Sequence, residues 1–181
     1  MTAWNGWYHV GISTYGAWLR GDPRGWRARK HREHCDGDYK NPPPEGAHQL
    51  RLERSQRLMK QPEVSFSTPQ RAIVGRAMLE SFHEHHIEVI ALCAGSVHTH
   101  ILLKVPTAEV RKFVGIAKKN ATFILHCVDH EGLVWGKRCS VEPIKDRSHQ
   151  VNSFNYICVH KDEGAWVWTF RESLYWRKSE A

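Results

Sequence analysis

Four residues have the types and spacing to do chemistry together: His98 and His100, and Tyr156 and His160. The histidine pair lies in Ala91–Val105, two short apolar runs around the small-residue turn Ala94-Gly95-Ser96, which is a β-hairpin pattern. Side chains alternate along a strand, so both imidazoles face one way and Thr99 the other. Two neutral imidazoles on an apolar strand can chelate a divalent cation, and the pair fits two half-exposed histidines on a polar sheet face as well. Tyr156 and His160 are one turn apart on a predicted helix, on the same face. A tyrosine hydroxyl is a competent nucleophile for covalent phosphoryl transfer, although taken alone a helical tyrosine reads first as an amphipathic core residue. If that helix face lies over the sheet where His98 and His100 project, three imidazoles can hold one cation beside a phenol. Such a cation polarises a phosphate oxygen and neutralises transition-state charge. The combined pattern is more restrictive than either half. Asn155, beside Tyr156, fits substrate or metal contact and plain surface equally.

The elements that must position these residues follow from periodicity. Trp7–Ser13 reads as a first strand. Between about 16 and 66 the pattern breaks into turn chemistry at Gly21-Asp22-Pro23-Arg24-Gly25, a basic cluster at Arg27–Arg32 and the stiff Asn41–Gly46 stretch. Gln49–Lys60 is a candidate short helix with Leu50, Leu52 and Leu58 partly buried. Thr68 as N-cap and Pro69 at the first position predict a helix to about Glu84. The histidines at its end, His83, His85 and His86, suit the negative pole of the helix. Ile87–Cys93 and the His98 strand form the hairpin. After Pro106-Thr107, a second helix buries Val110, Phe113, Val114, Ala117, Ala121, Ile124, Leu125 and Val128. Its Arg111, Lys112, Lys118 and Lys119 form a basic outer face. Cys127 and His130 near its end read as a structural cysteine and its neighbour rather than a metal pair. Ser140–Ile144 is a short edge strand because of Pro143. Asp146 caps a third helix to His160, with Val151, Phe154, Ile157 and Cys158 on its buried side. Trp166-Val167-Trp168 opens a C-terminal segment with a mixed-charge tail. With the insertion set aside, the order β-α-β-β-α-β plus a helix predicts an α+β, ferredoxin-like (RRM-like) antiparallel sheet. Helices cover one face, and a C-terminal catalytic helix is added. The His98 strand is expected in its centre.

A chain of 181 residues suits one domain spanning 1–181. Its formal net charge of +7 suits a polyanionic partner, foremost nucleic acid, although basic residues also occur on solvated faces. Arg24, Arg27, Arg29, Lys30, Arg32, Lys118 and Lys119 are the candidate DNA contacts. The odd count of five cysteines, with no Cys-x-x-Cys, predicts a reduced, cytoplasmic protein. The N-terminus has no signal-peptide pattern, and no apolar run is long enough for a membrane span.

Val97-His98-Thr99-His100-Ile101-Leu102-Leu103, Trp135-Gly136-Lys137, Pro143–Arg147 and Asn155-Tyr156-Ile157-Cys158-Val159-His160 resemble the single-tyrosine HUH transposases, the insertion-sequence and REP-associated tyrosine transposase family. Thr14–Leu19 and Gly21–Trp26 resemble one branch of it. The likeness runs over most of residues 7–168 and is specific at His98, His100 and Tyr156. Two positions depart from the family: Thr99 is smaller and more polar than the usual middle residue, and some relatives have glutamine where His160 stands. The resemblance implies a Mg²⁺- or Mn²⁺-dependent endonuclease and strand transferase acting on single-stranded or hairpin DNA. Tyr156 would form a 5′-phosphotyrosine, and His98, His100 and His160 would hold the metal. It also implies a homodimer. Two other readings remain: a replication-initiator-type nickase, and a ferredoxin-like nucleic-acid-binding module without catalysis.

Overall fold

Alternation along β1 (Trp7–Thr14) sets up a two-faced sheet. Tyr8, Val10, Ile12 and Thr14 are buried on one side, and His9, Gly11 and Ser13 turn to the other. The computed structural model describes residues 3–23, 26, 44, 46–106, 109–128 and 130–172. After β1 come α1 (Gln49–Arg57), α2 (Thr68–Glu84), β2 (Glu88–Ala94), β3 (His98–Lys104), α3 (Val110–Val128), β4 (Trp135–Pro143), α4 (Arg147–Val159) and β5 (Trp166–Thr169). The sheet order is β4-β1-β3-β2-β5, and every neighbouring pair is antiparallel. The protein is therefore α+β, with the strand bearing His98 and His100 at the centre of the sheet.

The two faces are covered differently. Val74, Ala77, Met78 and Phe82 of α2, with Val110, Val114, Ala117, Ala121 and Leu125 of α3, pack on Val10, Ile12, Ile101 and Leu103. On the opposite face a smaller apolar cluster joins Trp7, Ala91, Cys93 and Leu102 to Ile144 and to Ile157 of α4. The apolar stripe of α3 is what lays that helix flat on the sheet. α4 is anchored mainly by Ile157, which leaves its flanks free to carry polar groups toward the sheet.

Several sequence expectations are corrected. The N-cap of α2 is Ser67, one residue before Thr68. The Ser67 hydroxyl accepts from Gln70 N at 3.4 Å and the Gln70 side chain accepts from Ser67 N at 2.9 Å. A serine with glutamine three residues on closes both bonds of a capping box, which Thr68 with Arg71 cannot do. In α1, Leu50 and Leu58 are 81% and 78% exposed, not partly buried. The described insertion folds instead around Trp26, whose ring meets His48 edge-on and lies under the Arg51 guanidinium. Val128 and Val151 are also exposed. Val128 is the last residue of its helix, beyond the buried Leu125, and the helix that follows Asp146 turns Gln150 and Ser153 inward rather than Val151. The C-terminal segment opened by Trp166 forms a fifth strand on β2 over residues 166–169, with Trp166 opposite Ala94, a strand the sequence order did not include. The β4 edge strand begins at Trp135, earlier than Ser140. No helix among the described residues is long and apolar enough to cross a membrane.

Candidate metal centre and tyrosine

β3 delivers its histidines by simple alternation. Thr99, Ile101 and Leu103 are fully buried toward α2 and α3, and His98 and His100 project from the other face. The turn before them is closed by Gly95 N donating to His98 O at 2.8 Å. Pairing with β1 sets Gly11 opposite His100 and Ser13 opposite His98. A side chain at position 11 would displace the Ser140 hydroxyl. A Cβ there would lie 2.6 Å from Ser140 Oγ and 3.4 Å from the His100 ring. The Ser140 hydroxyl occupies that space, accepting from Gly11 N at 3.1 Å and donating to Gly11 O at 3.2 Å.

α4 supplies the other half. Asp146 caps it by accepting from His149 N at 2.8 Å, and the helix runs across the histidine face to its C-cap, His160. With Ile157 turned into the sheet, the next positions on one flank, Tyr156 and His160, meet the strand. The His98 and His160 ring centroids are 4.8 Å apart, and His100 and His160 stack in parallel at 5.2 Å. The Tyr156 ring stands edge-on to both, 5.2 Å from His100 and 4.8 Å from His160. Tyr156 is 47% exposed, so the phenol borders the cluster from the solvent side.

The electrostatics favour neutral imidazoles. Burial, reinforced by the neighbouring rings of His9, His98 and His160, pushes the His100 pKa down to about 2. Burial and then His160 lower His98 as well. A neutral imidazole has one nitrogen with a lone pair for a cation. One nitrogen from each of His98, His100 and His160 lies within 4.8 Å of the others, and among the described residues this is the one such group of three. The Nε2 atoms of His98 and His160 are buried and lack a hydrogen-bond partner. Buried nitrogens facing one another unpaired are costly unless something fills the space between them. The donor set thus fits a small divalent cation. His160 Nδ1 donates to Glu163 Oε2 at 2.7 Å, which keeps its proton away from Nε2 and turns the lone pair inward.

Sequence reasoning missed two residues. His9 on β1 places Nε2 3.1 Å from His100 Nδ1 and meets the Tyr156 ring at 5.7 Å. Its period-two position on the face of Gly11 and Ser13 was the only sequence signal. Glu163 follows His160 by three residues, just past the helix, and no motif pointed to it. Asn155 faces away from the cluster, into a groove with Trp4, Trp7, Phe154 and Phe170 on the other flank of α4. Lys118 and Lys119 lie on α3, across the sheet from the histidines. Lys118 Nζ donates to Gly136 O at 2.9 Å, and Lys119 is exposed. Arg24, Arg27, Arg29, Lys30 and Arg32 lie outside the described residues. Cys127 is exposed on α3.

No family model and no curated protein matches the chain. Among solved structures, the fold is similar to that of a REP-associated tyrosine transposase bound to a REP hairpin. The TM-score is 0.49 and the identity 10%, over 90% of this chain and 70% of that one.

Proposed function

We propose that the chain is a metal-dependent single-stranded DNA endonuclease and strand transferase with Tyr156 as its nucleophile. The observation that carries this reading is the Tyr156 ring edge-on to His100 and His160 at the rim of the three-nitrogen cluster. A phenol beside a set of neutral donors suits attack on a phosphodiester. His98, His100 and His160 would hold Mg²⁺ or Mn²⁺, which supplies Lewis-acid polarisation of a phosphate oxygen. The Tyr156 oxygen attacks phosphorus and loses its proton to solvent. The bond from phosphorus to the 3′ oxygen breaks, and that oxygen takes up a proton. The products are a 5′-phosphotyrosine and a free 3′-hydroxyl. A second 3′-hydroxyl reverses the exchange and rejoins a strand, so the covalent link conserves the bond. α4 and β3 hold the phenol and imidazoles in register, and burial keeps the His98 and His100 imidazoles neutral.

The partner in this reading is single-stranded or hairpin DNA, attracted by a chain of formal net charge +7. Lys119 and the stretch containing Arg24, Arg27, Arg29, Lys30 and Arg32 contribute phosphate contacts, with the chain acting as one domain. Two copies sharing active sites remain part of the proposal.

The test is incubation with labelled single-stranded hairpins and Mn²⁺, followed by denaturing electrophoresis. The wild type is expected to give a denaturant-resistant adduct. Tyr156→Phe is expected to give none while binding the hairpin as before. An adduct with Tyr156→Phe would remove Tyr156 as the nucleophile. Hairpin binding with no adduct from the wild type would leave a binding module in place of an enzyme.

A further inference from the structure

We infer that His9 is the positioning residue that fixes the tautomer of His100, so that His100 Nε2 carries its lone pair toward the metal. The inference deepens the proposed function and rests on its three-histidine site. His100 has two ring nitrogens, and Nδ1 is engaged by His9 Nε2 at 3.1 Å. That leaves Nε2 as the donor His100 contributes to the group with His98 and His160. A neutral imidazole has one N–H and one lone pair. If Nε2 is to bind a cation, the proton must sit on Nδ1 and be donated to His9. His9 Nε2 must then be the acceptor, with its own proton on Nδ1. This is the arrangement by which a ligating histidine is oriented through its second nitrogen.

The surrounding structure is shaped for this bond. His9 and Gly11 share a face of β1, and Gly11 stands opposite His100. The Cβ position of Gly11 lies 3.5 Å from His100 Nδ1, so this edge of the His100 ring, the one that carries Nδ1, is turned toward β1 and His9. The two rings are 5.1 Å apart and tilted by 38°, consistent with an in-plane nitrogen contact rather than a stack. His160 receives the equivalent support from Glu163. Each of these two histidines thus has a partner on its outer nitrogen. His9 also touches the Tyr156 ring edge-on, linking the phenol's seat to the same bond.

Nitrogen NMR of the metal-free protein reads the tautomer directly. His100 is expected with its proton on Nδ1. Finding it on Nε2 would overturn the inference. Mn²⁺ affinity, followed by electron paramagnetic resonance, gives the second readout. His9→Phe keeps the ring packing and removes the acceptor, and should weaken Mn²⁺ binding by about 10- to 100-fold. His9→Gln restores an acceptor near the position of Nε2 and should recover most of that loss, which a purely structural role would not predict. Unchanged affinity in His9→Phe, or no recovery in His9→Gln, would also overturn it. A wild type that takes up no Mn²⁺ counts against the proposed function instead. The tautomer, read without metal, then still decides for or against His9.

Discussion

Two residues that contribute no donor nitrogen carry consequences of their own. Glu163 accepts the Nδ1 proton of His160 from a largely exposed position. Glu163→Gln should leave folding intact and weaken Mn²⁺ binding roughly 10-fold, measurable by paramagnetic titration. Thr99 stands between the two histidines with its side chain on the opposite face, fully buried against the helices, and its hydroxyl has no hydrogen-bond partner. Thr99→Val replaces that hydroxyl with a methyl of similar shape. It should stabilise the protein by about 1 kcal/mol in urea unfolding, because an unpaired buried hydroxyl costs about that much or more. Strand and helix periodicity made the shared faces of His98 with His100, and of Tyr156 with His160, legible in the sequence. His9 was not legible, because its meeting with His100 depends on the register between β1 and β3, segments 91 residues apart. Glu163 was hidden because it lies beyond the helix, where the turn rather than any period decides direction.

Among the elements, β5 shows what local patterning misses. Trp166, Val167, Trp168 and Thr169 are all half-buried, so no alternation marks them as a strand. Their place is set by β2 and by Gly75 of α2, above which the Trp166 ring sits. A methyl at position 75 would overlap that ring. Helix propensity alone favours Gly75→Ala by up to about 1 kcal/mol. Overpacking should outweigh it, for a net loss of about 1–2 kcal/mol in thermal or urea unfolding. Faster amide exchange should be confined to Trp166–Thr169. By contrast, α3 was legible almost throughout, because its apolar stripe is long and regular. α4 was legible at its cap, at Ile157 and in the shared face of Tyr156 and His160, but not in all of its buried side. The chain buries Gln150 and Ser153 where a hydrophobic reading chose Val151.

Across the molecule, the histidine face makes stability depend on pH. His9, His98 and His100 all have pKa values below their ordinary 6.5, with burial the largest cause in each. In the unfolded chain these groups bind protons below about pH 6.5, while in the folded chain they stay neutral to lower pH. The unfolded state therefore holds more protons in that window, and folding stability falls as pH drops from 6.5 toward the folded values, near 2 for His100. The urea midpoint of the metal-free protein should decrease between about pH 7.5 and about pH 5, and His100→Gln should flatten that slope. The order of elements through α4, and so the first four strands of the sheet, was readable from the chain because the hairpin and the two helices fix most of the topology. The basic stretch around Arg27–Arg32 was readable only as composition.

The donor nitrogens come from two bodies with one seam between them: two from the middle of the sheet, one from a helix seated largely through Ile157. A cation there works as a clasp. Loading the site with Mn²⁺ at about 100 times its dissociation constant should add about 2.7 kcal/mol to unfolding. Its first visible effect should be slower opening of Arg147–Val159, since that is the part the clasp fastens down.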